Sequence, residues 1–223
     1  MVTKKLDINR IDLWKSSIFK SIAHAINMAH YPELSYESSW DNFNYNLQDG
    51  EGARGTITFH PDFCIAAFQD LNSERSEQVK DPLYYLEGAS DNVKEVAQQE
   101  TFQYLLEDVE GETMPLITSA FWIENGDTYS IDTFEEFQEH GGFLLEMQLE
   151  DIPSLMEILE EEYEMTDPQL NLLQLIFEKK IKSPEEKIIL SEVEIDMIGI
   201  SDEEGREESE ESFKELNIIW DIS

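Results

Sequence analysis

Positive charge is what this sequence has least of. Lysine and arginine number 15 against 50 aspartates and glutamates, a formal charge of −35 over 223 residues. A surface that negative is repelled by phosphate backbones and anionic bilayers, which excludes direct nucleic-acid or membrane binding driven by charge. Cysteine is almost missing too. The lone Cys64 excludes an internal disulfide framework and a multi-cysteine zinc site. Long apolar runs are absent: no window approaches the roughly 18 apolar residues of a membrane helix. Lys4 and Lys5 precede no apolar segment of the kind a secretory leader carries. These absences set the expectation of a cytoplasmic chain with no membrane partner.

What the chain does hold is enough apolar material for a core. The hydrophobic fraction is 40% and the aromatic fraction 11%, too much for an acidic disordered chain. The length favours a single domain spanning 1–223, with a subdivision to be sought near 150. Leu13, Trp14, Ile18, Phe19, Ile22, Ala25, Ile26 and Ala29 recur at three- and four-residue steps, an amphipathic helix over about 12–30 that Pro32 ends. Strands are expected near 43–47, 55–60, 63–68, 116–123, 128–131 and 143–149, with Asn125-Gly126 as a type I′ hairpin turn. Asp81-Pro82 and Ser90 or Asp91 read as helix starts, as do Asp132 or Thr133, with Gly141-Gly142 as a stop.

Helices are expected from Pro153 to Tyr163 and from Asp167-Pro168 onward. Ser183-Pro184 has the form of another helix start, yet Ile188, Leu190, Val193 and Ile195 are nearly strand-like, so both readings of 184–198 stay open. The 201–211 charge run reads as a solvated or mobile segment. The architecture expected is α+β: an N-terminal helix on a mostly antiparallel sheet, with a helical C-terminal third.

Charge geography says more than any motif. Between Glu95 and Glu178 lie 84 residues with 22 carboxylates and no lysine or arginine. Local ion pairs cannot satisfy that stretch, and its self-repulsion works against folding. Either it is a solvated face that aids solubility, or it is shaped for a cationic partner, whose approach such a field accelerates about 10- to 1,000-fold. Residues expected to touch the partner are Glu135, Glu136, Glu139, Glu157, Glu160, Glu161, Glu162, Tyr163 and Glu164, together with the aromatic run holding Trp40, Asp41 and Tyr45. Trp and Tyr are common interface anchors; the competing reading places Trp40 and Phe43 in the core and Tyr45 half-buried.

Chemical motifs fail. His24 and His30 are six apart, the wrong spacing for a metal pair on one helix face. Cys64 falls in an apolar strand, where a thiol behaves as a small hydrophobe. The run from Asn125 to Glu136 lacks the glycine of a calcium loop. Asp49 to Gly55 is glycine-rich without the Gly-Lys-Ser/Thr ending of a phosphate loop. No catalytic residues, cofactor or metal are expected, and the chain reads as a non-enzyme.

The segment Ser39-Trp40-Asp41-Asn42-Phe43-Asn44-Tyr45-Asn46, with Asp49-Gly50-Glu51-Gly52 and Gly55-Thr56-Ile57-Thr58-Phe59, resembles acidic α+β immunity proteins that guard bacteria against their own polymorphic toxins. The resemblance covers about 30 residues of the chain. It implies a protein that binds one cationic toxin domain, often a nuclease, and blocks its site. The leading expectation is therefore an immunity or antitoxin protein that occludes a cationic partner. The alternative is a phage or mobile-element nucleic-acid mimic that blocks a host defence or restriction protein. A metal-dependent module and a general acidic scaffold are the remaining readings.

Overall fold

The structure, a computed structural model, describes residues 3–109, 111–161 and 163–221. From the N-terminus, β1 (Lys4–Leu6) leads into α1 (Arg10–Asn27), and a 3-10 turn at Pro32–Glu37 precedes β2 (Ser38–Asp41). Next come β3 (Asn44–Gln48), β4 (Ala53–Thr58), β5 (Cys64–Asp70) and α2 (Asp91–Gln99). The middle of the chain forms β6 (Leu106–Val109), β7 (Glu112–Pro115), β8 (Ser119–Glu124), β9 (Asp127–Ser130) and α3 (Phe134–Glu139). The last third forms α4 (Ile152–Glu161), α5 (Asp167–Lys182), β10 (Ile188–Leu190), α6 (Glu192–Asp196), α7 (Glu203–Glu215) and β11 (Ile218–Trp220). The α+β class, the antiparallel sheet, the N-terminal helix and the helical C-terminal third are all as the sequence reads. The chain divides into two compact units: unit 1 is Met1–Leu13 with Asp41–Glu146, and unit 2 is Trp14–Trp40 with Met147–Ser223.

Unit 1 is organised by the sheet, whose strands within that unit run in the order β1-β9-β8-β5-β4-β3. β5 lies between β4 and β8 and pairs antiparallel with both. All seven of its residues are buried, which is why Cys-Ile-Ala-Ala-Phe shows no polar alternation. Ile65, Ala67, Ala120 and Trp122 bury one face against Val93 and Ala97 of α2 and against Tyr85, Leu86 and Phe102. Burying side chains of that size contributes about 1.5–3 kcal/mol each. The β8–β9 turn holds Asn125 at φ 57° and Gly126 at φ 85°. Both residues are left-handed, as a type I′ hairpin requires. Ser90 caps α2 through the Val93 N–H.

Unit 2 is a helical core. Ile18, Phe19, Ile22, Ala25, Ile26 and Ala29 of α1 pack with Leu155 and Leu159 of α4, Leu173 and Phe177 of α5 and Phe213 of α7. Phe19 and Phe177 meet edge to face at 5.0 Å. α7 approaches the end of α1 and the residues just after it. Gly205, Ser209 and Phe213, four residues apart, form its buried face. Ser209 Oγ donates to the Ala25 carbonyl at 2.6 Å, and a Cβ on Gly205 would stand 2.4 Å from the Ala29 carbonyl oxygen. Only glycine permits that approach. β10 and β11 add a short parallel pair.

Three expectations are corrected. Phe143 to Leu149, whose alternation suggests a strand, forms 3-10 turns at Gly142–Leu145 and Met147–Leu149; the left-handed Gly141 at φ 116° turns the chain there. Ser183 closes α5 rather than starting a helix. The 201–211 run is the body of α7, capped by the Asp202 carboxylate on the Gly205 N–H. The open segment 184–198 holds both elements, β10 and then α6, which Ser191 and Glu194 start with a capping box.

Candidate functional site

The residues expected to meet a partner fall into two groups, one in each unit. In unit 1, α3 carries Glu135, Glu136 and Glu139. Its start is fixed by a capping box: Thr133 Oγ1 accepts the Glu136 N–H, and the Glu136 carboxylate accepts the Thr133 N–H at 2.8 Å. Lys4 Nζ adds an ion pair to Glu136 at 2.9 Å. The Thr133 backbone bond first, then Lys4, hold that carboxyl down at about 2. Glu136 is therefore committed to its own fold. Glu135 and Glu139 are exposed. Asp41 is exposed as well, and accepts the Tyr104 hydroxyl at 2.7 Å; burial first, and Asp41 second, push that phenol up to about 12. Tyr45 is fully buried in β3, so it is corrected from partner anchor to core.

Unit 2 holds the denser group. Asp151 starts α4 by accepting the Ser154 N–H at 2.8 Å. Ile152, Leu155, Met156 and Leu159 then turn inward at helical spacing. The opposite face is left to Glu157, Glu160 and Glu161, all exposed. The helix ends where the Met165 N–H donates to the Leu159 carbonyl at 3.1 Å. Glu164 sits in that ending at φ 51°, a left-handed position that glycine or asparagine occupies at lower cost. Glu162 lies outside the described residues. Trp40 is not an open anchor: its indole N–H donates to Ser21 Oγ at 2.8 Å, and its body packs on the helical core.

Next to α4, the ammonium of Lys20 on α1 sits 4.0 Å from the centroid of the Tyr163 ring. Burial pulls Lys20 down to about 8, with Glu37 opposing. One turn along, burial first and the Lys20 charge second bring His24 down to about 4. His24 Nε2 is buried without a hydrogen-bond partner among the described residues.

An open cleft of about 570 Å³ adjoins the end of α4. Asn27, His30 and Tyr31 line it from the end of α1; Tyr163, Glu164, Thr166 and Gln169 line it from the α4–α5 connection; Ile198, Gly199 and Ser201 complete it. Its back wall is fixed by Gln169. The Gln169 side-chain oxygen accepts both the Thr166 N–H and hydroxyl at 2.9 Å, and its NH₂ donates to the Ile198 carbonyl at 2.9 Å, with His30 Nε2 3.1 Å away. Sequence reading does not find this cleft, because its residues are ordinary polar side chains from three distant segments. The one usable signal is Tyr163 among glutamates.

Cys64 is buried and its thiol is pushed up to about 12 by burial, the inert state. Among the described residues no group of three His, Cys, Asp or Glu side chains is placed to hold a metal ion, and no helix is long and apolar enough to cross a membrane. Compared with models of known families, with curated proteins and with solved structures, the chain matches none. The functional reading therefore rests on the geometry.

Proposed function

We propose that the protein is a non-enzymatic inhibitor of the immunity or antitoxin kind, which binds one cationic protein and occludes its working surface. A nuclease toxin domain is the kind of partner it fits. The observation that carries this reading is the outer face of α4. Glu157, Glu160, Glu161 and Glu164 are exposed, and none of them has a basic partner within salt-bridge distance among the described residues. Exposed Tyr163 stands between the last two. Lysines and arginines that a nuclease uses for phosphate would find these carboxylates without having to displace an internal partner. An aromatic ring beside them supplies the contact area that charge alone lacks.

The test uses the full chain as bait in a nuclease-treated lysate at low salt, followed by a salt ramp. One basic protein in stoichiometric amount, inhibited in its own activity by the bait, is the expected result. Its association rate should fall at least about tenfold between low and high salt. A salt-independent rate, or no basic protein at all, would overturn the reading. Release of many unrelated DNA-binding proteins would point to nucleic-acid mimicry instead.

A further inference from the structure

We propose that the cleft beside α4 receives an arginine side chain of the cationic partner. The proposal rests on the inhibitor reading for the partner's existence, and on the cleft alone for the residue type. Among the described residues that line it there is no lysine or arginine, and the nearby Lys20 ammonium lies against the ring of Tyr163. Two of its walls are partly exposed tyrosines: Tyr31 is 48% and Tyr163 40% exposed. A tyrosine face attracts a cation within about 6 Å. Tyr163 already does so for Lys20, which is not among the lining residues.

A planar guanidinium uses such walls better than an ammonium, because it stacks on rings and also forks onto a carboxylate. The carboxylate is Glu164. It lines the cleft from a left-handed backbone at φ 51°, and Asn27 and Ser201 add further oxygen acceptors. The back wall, where Gln169 is tied to Thr166 and Ile198, needs no rearrangement to accept a guest. The volume of about 570 Å³ lies within the roughly 300–1,000 Å³ of small-ligand sites. It therefore leaves room for the arginine together with part of the loop that presents it.

The experiment titrates the isotope-labelled full chain with N-acetyl-L-arginine N-methylamide, and in parallel with the uncharged citrulline counterpart, read by NMR. The expected result is saturable shifts centred on Gly199, Ser201 and the Gln169 side-chain amide, with the arginine probe binding at least about fivefold tighter. Glu164→Asn removes the charge while keeping a residue that tolerates the left-handed backbone. It should weaken the arginine probe about threefold, as should Tyr31→Ala. Equal affinity for the two probes, or shifts that follow Glu157 and Glu160 instead of the cleft, would overturn the proposal. Capture of a basic partner with undiminished affinity by the Glu164→Asn, Tyr31→Ala double variant would overturn it too, while leaving the inhibitor reading standing. Failure to capture any basic protein, with the probe still seated in the cleft, would remove the inhibitor reading and support the site.

Discussion

The two units treat the same excess of acid in opposite ways. In unit 1, four carboxylates from the base-free stretch each meet a base from far upstream. Arg54 reaches Glu107 at 2.9 Å, Lys5 reaches Asp127 at 2.8 Å, Arg75 reaches Asp132 at 2.7 Å and Lys4 reaches Glu136 at 2.9 Å. In unit 2, Lys179 is taken by Glu194 and Lys214 by Glu210 and Glu211. The α4 glutamates are left with none among the described residues. A window of sequence without lysine or arginine is thus not yet an uncompensated surface. Folding compensates part of it and leaves part of it available, and only the second part has anything to offer a partner. Exposed pairs of this kind contribute about 0–1 kcal/mol, so the contrast concerns availability more than stability.

The one exception in unit 1 is the pair that is not exposed, and it gives the largest expected effect. Asp132 is 4% exposed and binds Arg75 through both carboxylate oxygens, at 2.7 and 3.0 Å. The guanidinium also donates to the Thr118 carbonyl at 2.9 Å. Asp132→Ala leaves Arg75 partly buried without its counter-charge and should cost about 3–5 kcal/mol, measured by equilibrium denaturation. A loss below about 1 kcal/mol would mean that the unit 1 pairs, too, are only surface decoration.

In unit 2 the corresponding liability is a buried base rather than a paired acid. His24 titrates near 6.5 when unfolded and near 4 when folded, because burial and then the Lys20 charge oppose its protonation. Between those values the unfolded chain binds the extra proton, so stability is fully present above about pH 6.5. It falls by about 1.4 kcal/mol for each pH unit below that. The wild-type chain should therefore lose about 2 kcal/mol more between pH 7 and pH 5 than His24→Gln does. Parallel pH profiles for the two proteins would show that the His24 site is open to water. A steric test of the same unit is Gly205→Ala, which drives a methyl into the Ala29 carbonyl oxygen and should cost about 1–3 kcal/mol, read from the shift in denaturation midpoint.

These positions also show what could be read before folding. The helix of α1, the β3–β5 meander and the Asn125-Gly126 turn follow from apolar period and turn chemistry, which are local. α7 was hidden because its buried face is Gly205 and Ser209. Periodicity searches look for large apolar residues, whereas this contact works by close backbone approach. β1 was hidden because three residues carry no pattern, and Lys4–Leu6 become a strand only by pairing with β9. Phe143 to Leu149 points the other way: its apolar residues alternate, but the 3-10 turns bury every third residue, Gly142, Leu145 and Gln148, and leave Phe143 exposed. Of the expected contact residues, the exposed α4 glutamates were legible as charge. Tyr45 was not legible as fully buried, because an aromatic says nothing by itself about which side it faces, whereas Trp40 packs on the helical core as the competing reading places it. The cleft at His30 and Gln169 carried no sequence signal beyond Tyr163 among glutamates.

The smallest effect bears most directly on the contrast. Neutralising Glu157, Glu160 and Glu161 together to glutamine removes like charges that have no internal partner among the described residues, so the folded state should not be weakened. A gain of about 0.5 kcal/mol is expected at low ionic strength, shrinking as salt shortens the Debye length below about 10 Å. Glu107→Gln in unit 1 should move the other way by a similar amount, since it takes away the carboxylate that Arg54 and the Gln69 amide share. Equal and opposite small shifts, both fading with salt, would show that unit 1 uses its acids internally and α4 does not. If the triple variant instead lost 1 kcal/mol or more, the α4 face would be holding unit 2 together, and its carboxylates would not be available to a partner.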